Sequence, residues 1–167
     1  MPTTCSNGTK TLKTGTVPLW YMSVELPFAP VDTIIRRNAG NLRVSAEAAE
    51  RLAARIQDRG ATLAVDAAER ATADGRKTLM AADFEHGDPP DKDRLELPVA
   101  PIDRIARLDI GDDYRVGMDA RVSLAAILEA FADNVAAAAA ALARHADRRT
   151  VKGEDVEAYF ELAQYFE

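Results

Sequence analysis

Cysteine is all but missing from this chain, which has one, Cys5. A single thiol closes no disulfide within the chain, so the fold must rest on packing, and such sparing use of cysteine fits a reducing cytoplasm. Histidine is nearly as scarce, with His86 and His145 in unlike contexts. From two histidines and one cysteine near the N-terminus no nucleophile–base pair and no zinc set can be assembled, so an enzyme is not expected and neither is a cofactor or metal. Asp109-Ile110-Gly111-Asp112-Asp113 lacks the alternating ligands and terminal Glu of a calcium loop and reads as a charged loop. The longest apolar run, Val135 to Ala143, falls far short of the roughly 20 residues of a membrane span. The N-terminus has no charged region followed by a long apolar stretch, so a secretory signal is not expected. Basic excess is absent as well. The 21 basic and 27 acidic residues give a net charge of −6, whereas a nucleic-acid binder is expected to be positive.

The kind of charge says more than the sum. Arg supplies 16 of the basic residues and Asp 16 of the acidic ones. Few Lys beside many Asp resembles the proteins of salt-loving archaea, in which an acidic surface keeps the chain hydrated; the plainer reading is an ordinary acidic protein.

What the chain does have is a repeat. Glu25-Leu26-Pro27-Phe28-Ala29-Pro30 returns 71 positions later as Glu96-Leu97-Pro98-Val99-Ala100-Pro101, and Gly40 returns as Gly111. One inserted residue then makes the shift 72: Arg43-Val44 matches Arg115-Val116, Arg76-Lys77-Thr78 matches Arg148-Arg149-Thr150, and Asp83 matches Asp155. A period of this length is longer than solenoid repeats and marks two copies of a small domain. Copies so short bury little apolar surface alone, so two halves sharing one core are expected.

Each copy has the same expected plan. A short helix follows the Pro, from Val31 to about Asn38 in copy one and from Ile102 to about Leu108 in copy two. A loop carrying Gly40 or Gly111 leads to a long helix. In copy one Ser45 is its expected N-cap and Leu52, Ile56, Leu63 and Ala67 recur at helical spacing to about Ala73. In copy two the long helix spans about Asp119 to Ala146. A second loop leads to a third helix, full length in copy two (about Gly153 to Tyr165) but held to about two turns in copy one by Gly87-Asp88-Pro89-Pro90. The expected organisation is a disordered extension over residues 1–22, within which Trp20 and Tyr21 could pack locally, copy one over 23–87, a linker over 88–94 and copy two over 95–167. Met22-Ser23-Val24 reads like a natural start, which makes the upstream stretch a tail or an over-extended gene product.

Short–long–short helices, the Glu-Leu-Pro-x-Ala-Pro opening, Arg-Val after the first loop and Arg-Lys/Arg-Thr in the second resemble the archaeal histone fold. Copy two is the closer match, through Asp119-Ala120-Arg121, Ala143-Arg144-His145-Ala146 and Lys152-Gly153-Glu154-Asp155-Val156. The resemblance covers residues 24 to about 86 and 95 to about 166. It implies an all-α fold of two tandem histone folds, with the handshake dimer formed inside one polypeptide. It also implies double-stranded DNA as partner and a chromosome-associated, cytoplasmic location, with no membrane or small-molecule partner. Arg43 and Arg115 would enter the minor groove, where a guanidinium reads groove width and potential, not base identity. Lys77, Thr78, Arg149 and Thr150 would hold phosphates, Lys152 would support them, and Arg104 and Arg107 with Arg36 or Arg37 would form a central patch. Arg76 with Asp83 and Arg148 with Asp155 would be structural ion pairs. His145 would help join one dimer to the next.

Copy one departs from this pattern. Ala73 stands where copy two has His145, Thr33 where it has Arg104 and Met80 where it has Lys152, while copy two has Gly117 where copy one has the Ser45 cap. The functional expectation is a non-enzymatic DNA-binding histone that shapes chromatin or regulates transcription in a halophile. The alternative is a histone-fold interaction module of a transcription complex that binds little DNA. A DNA binder preferring A·T-rich narrow grooves is a third reading.

Overall fold

The computed structural model describes residues 24–85 and 88–166. The expectations for residues 1–22 and for His86 and Gly87 lie outside these. In chain order the elements are α1 (Phe28–Ala39), β1 (Arg43–Val44), α2 (Ala46–Ala73), β2 (Thr78–Leu79), α3 (Val99–Ala106), β3 (Arg115–Val116), α4 (Met118–His145), β4 (Thr150–Val151) and α5 (Gly153–Ala163). The fold is all-α, and the four strands are two-residue contacts between loops.

Both short helices begin three residues earlier than the sequence suggested, so Pro30 and Pro101 lie at the third helical position. The N–H groups of a first helical turn have no partner within the helix, so a proline there sacrifices no hydrogen bond. The Ser45 hydroxyl accepts from the Ala48 N–H at 3.1 Å and caps α2; Gly117 gives α4 no such cap. The third helix of copy one is a single 3-10 turn, Ala81–Phe84, shorter than the two turns expected. It stops before the prolines, at Glu85, whose φ of 53° is left-handed and whose N–H bonds back to Ala82 O at 3.2 Å.

The core lies between the two 28-residue helices, α2 and α4. Much of what they bury is alanine, including Ala64, Ala67 and Ala71 of α2 and Ala132, Ala136 and Ala139 of α4. Larger buried side chains, among them Ile34, Ile35, Leu52, Ile56, Ile102, Ile105, Leu124 and Leu128, complete the core. At Gly60 a β-carbon would stand 2.7 Å from Ile105 Cγ2 and 2.9 Å from Leu128 Cδ1, so the short helix α3 and the long helix α4 both press on this one position. By composition α4 is apolar enough to cross a membrane, with an 18-residue window of mean hydropathy 1.5, although no unbroken apolar run reaches that length. Half of that window is buried against the rest of the protein.

The two copies are tied at their loops. β1 pairs in parallel with β4, in the register Arg43 opposite Thr150, and β2 pairs in parallel with β3, Thr78 opposite Arg115. Each first loop thus lies beside the second loop of the other copy, once at each end of the molecule.

Candidate nucleic-acid interface

Strand alternation sorts the loop residues. Leu79, Val116 and Val151 point into the core, while Arg43, Arg115 and Thr78 stay exposed. Backbone bonds fix the arrangement: the Arg43 N–H donates to Arg149 O at 2.9 Å and the Ser45 N–H to Val151 O at 3.0 Å. At the other end the Arg115 N–H donates to Lys77 O at 2.8 Å and the Gly117 N–H to Leu79 O at 3.0 Å. Asn41, Leu42, Arg43, Arg149 and Thr150 line one open recess. Arg43, Arg115, Arg149 and Lys152 are exposed, and among the described residues their side chains make no ion pair or hydrogen bond.

Lys77 differs. Its Nζ lies 2.9 Å from Asp113 Oδ2 and 4.5 Å from the centroid of the Tyr114 ring. The shared hydrogen bond holds the Asp113 carboxyl below its ordinary range and raises the Lys77 amine.

The arginines expected at the centre are all engaged with acids. Arg36 pairs with Asp32 at 2.6 Å, Arg104 of α3 with Glu25 at 3.0 Å, and Arg107 with Asp103 at 3.2 Å while also donating to Tyr114 O at 3.3 Å. Arg37 departs furthest from a role in a solvent-facing patch. Its guanidinium spans Asp133, at 2.6 and 2.8 Å, and Glu129, at 3.0 Å, both on α4. Burial pushes the Asp133 carboxyl up, but the bonds from Arg37 and Asn38 outweigh it and hold the group below the usual carboxylate range. Arg37 is therefore a strut between the copies, because α4 offers two carboxylates beneath the end of α1.

The structure brings Arg76 onto Asp83 through two bonds of 2.8 and 3.0 Å, and Arg148 onto Asp155 through two, one of 2.7 Å. Both carboxylates are nearly buried, at 3% and 2% exposure. Each also accepts from the backbone ahead of its helix, Asp83 from the Met80 N–H at 2.7 Å and Asp155 from the Lys152 N–H at 2.8 Å. The Arg76 bonds hold Asp83 below its ordinary pKa. His145 is the exposed last residue of α4.

Three residues outside the expected interface set matter here. Gln57 and Glu129, 72 positions apart and both buried, serve the same purpose in the two copies. Gln57 Oε1 accepts from the Glu25 N–H at 2.7 Å, and Glu129 Oε2 from the Glu96 and Leu97 N–H groups at 2.8 and 3.2 Å. Their spacing was a usable signal. Asp113 lies where the repeat gains its extra residue, and that insertion was the visible trace of a loop that differs between the copies.

Residues 24–86 and 95–158 each match the family described as histone-like transcription factor (CBF/NF-Y) and archaeal histone. A stretch of 61 residues is 51% identical to a chain of the archaeal histone HAN1 from Thermococcus zilligii, covering 36% of this chain and 88% of that one. Among solved structures, the histone from Methanopyrus kandleri superposes with a TM-score of 0.59 at 24% identity, over 79% of this chain and 91% of that one. A protein of Thermus thermophilus superposes with a TM-score of 0.63 at 16% identity, over 84% of this chain and 98% of that one. At those identities the two structures speak for the fold.

Proposed function

The chain belongs to the family of histone-like transcription factors (CBF/NF-Y) and archaeal histones, and from that premise we propose that it binds double-stranded DNA through the loop pairs at its two ends. Members of this family are structural DNA-binding proteins, not enzymes. The observation that carries the reading is the exposure of Arg43, Arg115 and Arg149 on the paired loops. In this reading Arg43 and Arg115 enter the minor groove, Thr78, Arg149 and Thr150 hold phosphates, and Lys152 assists. None of these contacts reads a base edge, so binding is largely indifferent to sequence. The site is the chromosome, in the cytoplasm of a halophilic archaeon, and the exposed His145, Leu162, Tyr165 and Phe166 at the end of copy two favour self-association there.

Salt argues for sparse occupancy. If about six phosphates are neutralised, log K falls against log salt with a slope near −5, so moving from about 0.2 M to about 3 M loses roughly six orders of magnitude. The acid partners of Arg36, Arg37, Arg104 and Arg107 lower the count further. The protein then acts as an architectural or regulatory factor, not as bulk packaging. A titration of a mixed-sequence duplex at low and molar salt tests this, with the variant in which Arg43, Lys77, Arg115 and Arg149 are all Ala as control. Binding by the native chain at low salt that the variant loses supports the reading; absence of binding at low salt favours a protein–protein interaction module.

A further inference from the structure

We propose that the two loop ends are unequal phosphate sites: Asp113 sits on Lys77 as an internal stand-in for a DNA phosphate, so DNA engages the chain more strongly through the β1–β4 end. This rests on the DNA-binding reading above and adds a specificity-determining residue to it.

The molecule contains its own control. At the β1–β4 end Arg149 takes the place of Lys77, Asn41 that of Asp113, Leu42 that of Tyr114, Arg144 that of Thr72 and Lys152 that of Met80. Thr72 and Met80 each leave the β2–β3 end without a cation that the other end has, and Asp113 adds an acid there. Loop segments 40–45 and 147–152 carry four cations and one carboxylate; segments 111–117 and 75–80 carry three and two. Asn41 has no charge with which to hold Arg149, and Arg149 has no acid partner among the described residues.

At the β2–β3 end the occupying group is braced. The Tyr114 hydroxyl hydrogen-bonds Thr72 Oγ1 on α2, its carbonyl accepts from Arg107 at 3.3 Å and its N–H donates to Gly111 O at 3.1 Å. With the loop so held, the ring faces Lys77 Nζ at 4.5 Å, within cation–π range, and the Asp113 carboxylate lies 2.9 Å away. A phosphate reaching Lys77 must displace a carboxylate tethered beside it at high effective concentration. The pair is exposed on both sides, and such pairs contribute little to folding stability. Asp113 can therefore be changed without disturbing the fold.

One liberated cation is one more phosphate contact, which steepens the slope of log K against log salt by about 0.9 and so multiplies the ratio of affinity at about 0.1 M to that at about 1 M by about eight. The test titrates a mixed-sequence duplex with the full chain across that range, for native protein, Asp113→Asn, Asn41→Asp and Asp112→Asn. The last removes a neighbouring carboxylate that holds no cation among the described residues, so it reports bulk charge alone. Asp113→Asn should bind about eightfold tighter at about 0.1 M, with the gain gone by about 1 M; Asn41→Asp should weaken binding by a similar factor. Equal effects of Asp112→Asn and Asp113→Asn, or an unchanged slope in Asp113→Asn, overturn the masking. Failure of every variant and of the native chain to bind at any salt overturns the DNA-binding reading itself, a result distinct from binding that the exchanges leave unaltered.

Discussion

The β1–β4 end and the β2–β3 end share a backbone and part company in their side chains. Both are two-residue parallel ladders with an aliphatic residue facing in and a threonine opposite an arginine. One presents Arg43 and Arg149 unopposed; the other presents Arg115 alone, with Lys77 held by Asp113. The same contrast runs through the rest of the molecule. α5 extends over Gly153–Ala163 in copy two, while copy one has a single turn at Ala81–Phe84. Gln57 anchors the opening of copy one as a neutral acceptor, while Glu129 does so in copy two as an anion that also binds Arg37. Duplication supplied one core, and the surface of each half was then free to differ, because backbone pairing needs only the register and a buried aliphatic residue.

The crossing of the long helices offers the sharpest way to break the pairing. Gly60→Leu drives a side chain into Ile105 and Leu128, and overpacking of this kind costs typically about 1–3 kcal/mol and occasionally more. A clear fall in the denaturant midpoint, shared by probes in both copies, checks that the halves unfold together. Next come the two anchors. Glu129→Ala strands two N–H groups and leaves Arg37 with Asp133 alone, at a cost of about 2–3 kcal/mol, whereas Gln57→Ala strands the Glu25 N–H and costs about 1 kcal/mol. Equal losses in urea unfolding would show that the charge of Glu129 adds nothing. The caps give the smallest contrast. Ser45→Ala should lower stability by about 1 kcal/mol. Gly117→Ser should gain at most a few tenths, because its β-carbon would stand 3.1 Å from Leu79 O and 2.6 Å from an Asp119 carboxylate oxygen; paired thermal melts measure both.

Most of the architecture was legible in the repeat. Helical periodicity and the Ser45 cap locate the long helices to within a residue, while the handshake pairing of the two copies came from the resemblance to archaeal histones. The starts of α1 and α3 were misplaced because each helix was taken to follow its proline, whereas a proline at the third helical position sacrifices no hydrogen bond. The end of the copy-one third helix was misplaced because a left-handed residue at Glu85, not the prolines, terminates it. At the interface, sequence identified which cations stand on the loops but not which are already engaged. Arg37 meets acids 92 and 96 positions away, and Lys77 meets Asp113 only because β2 pairs with β3; neither partner is adjacent in sequence. The membrane-like composition of α4 went unnoticed since its polar residues are spread too evenly to leave one long run.

The inequality of the two ends is tested most directly by the salt dependence of DNA affinity in two matched variants, Arg43→Ala/Arg149→Ala and Lys77→Ala/Arg115→Ala. Removing two available cations should flatten the slope of log K against log salt by about 1.8, and removing one available and one occupied cation by about 0.9. Equal flattening in the two variants would contradict the account.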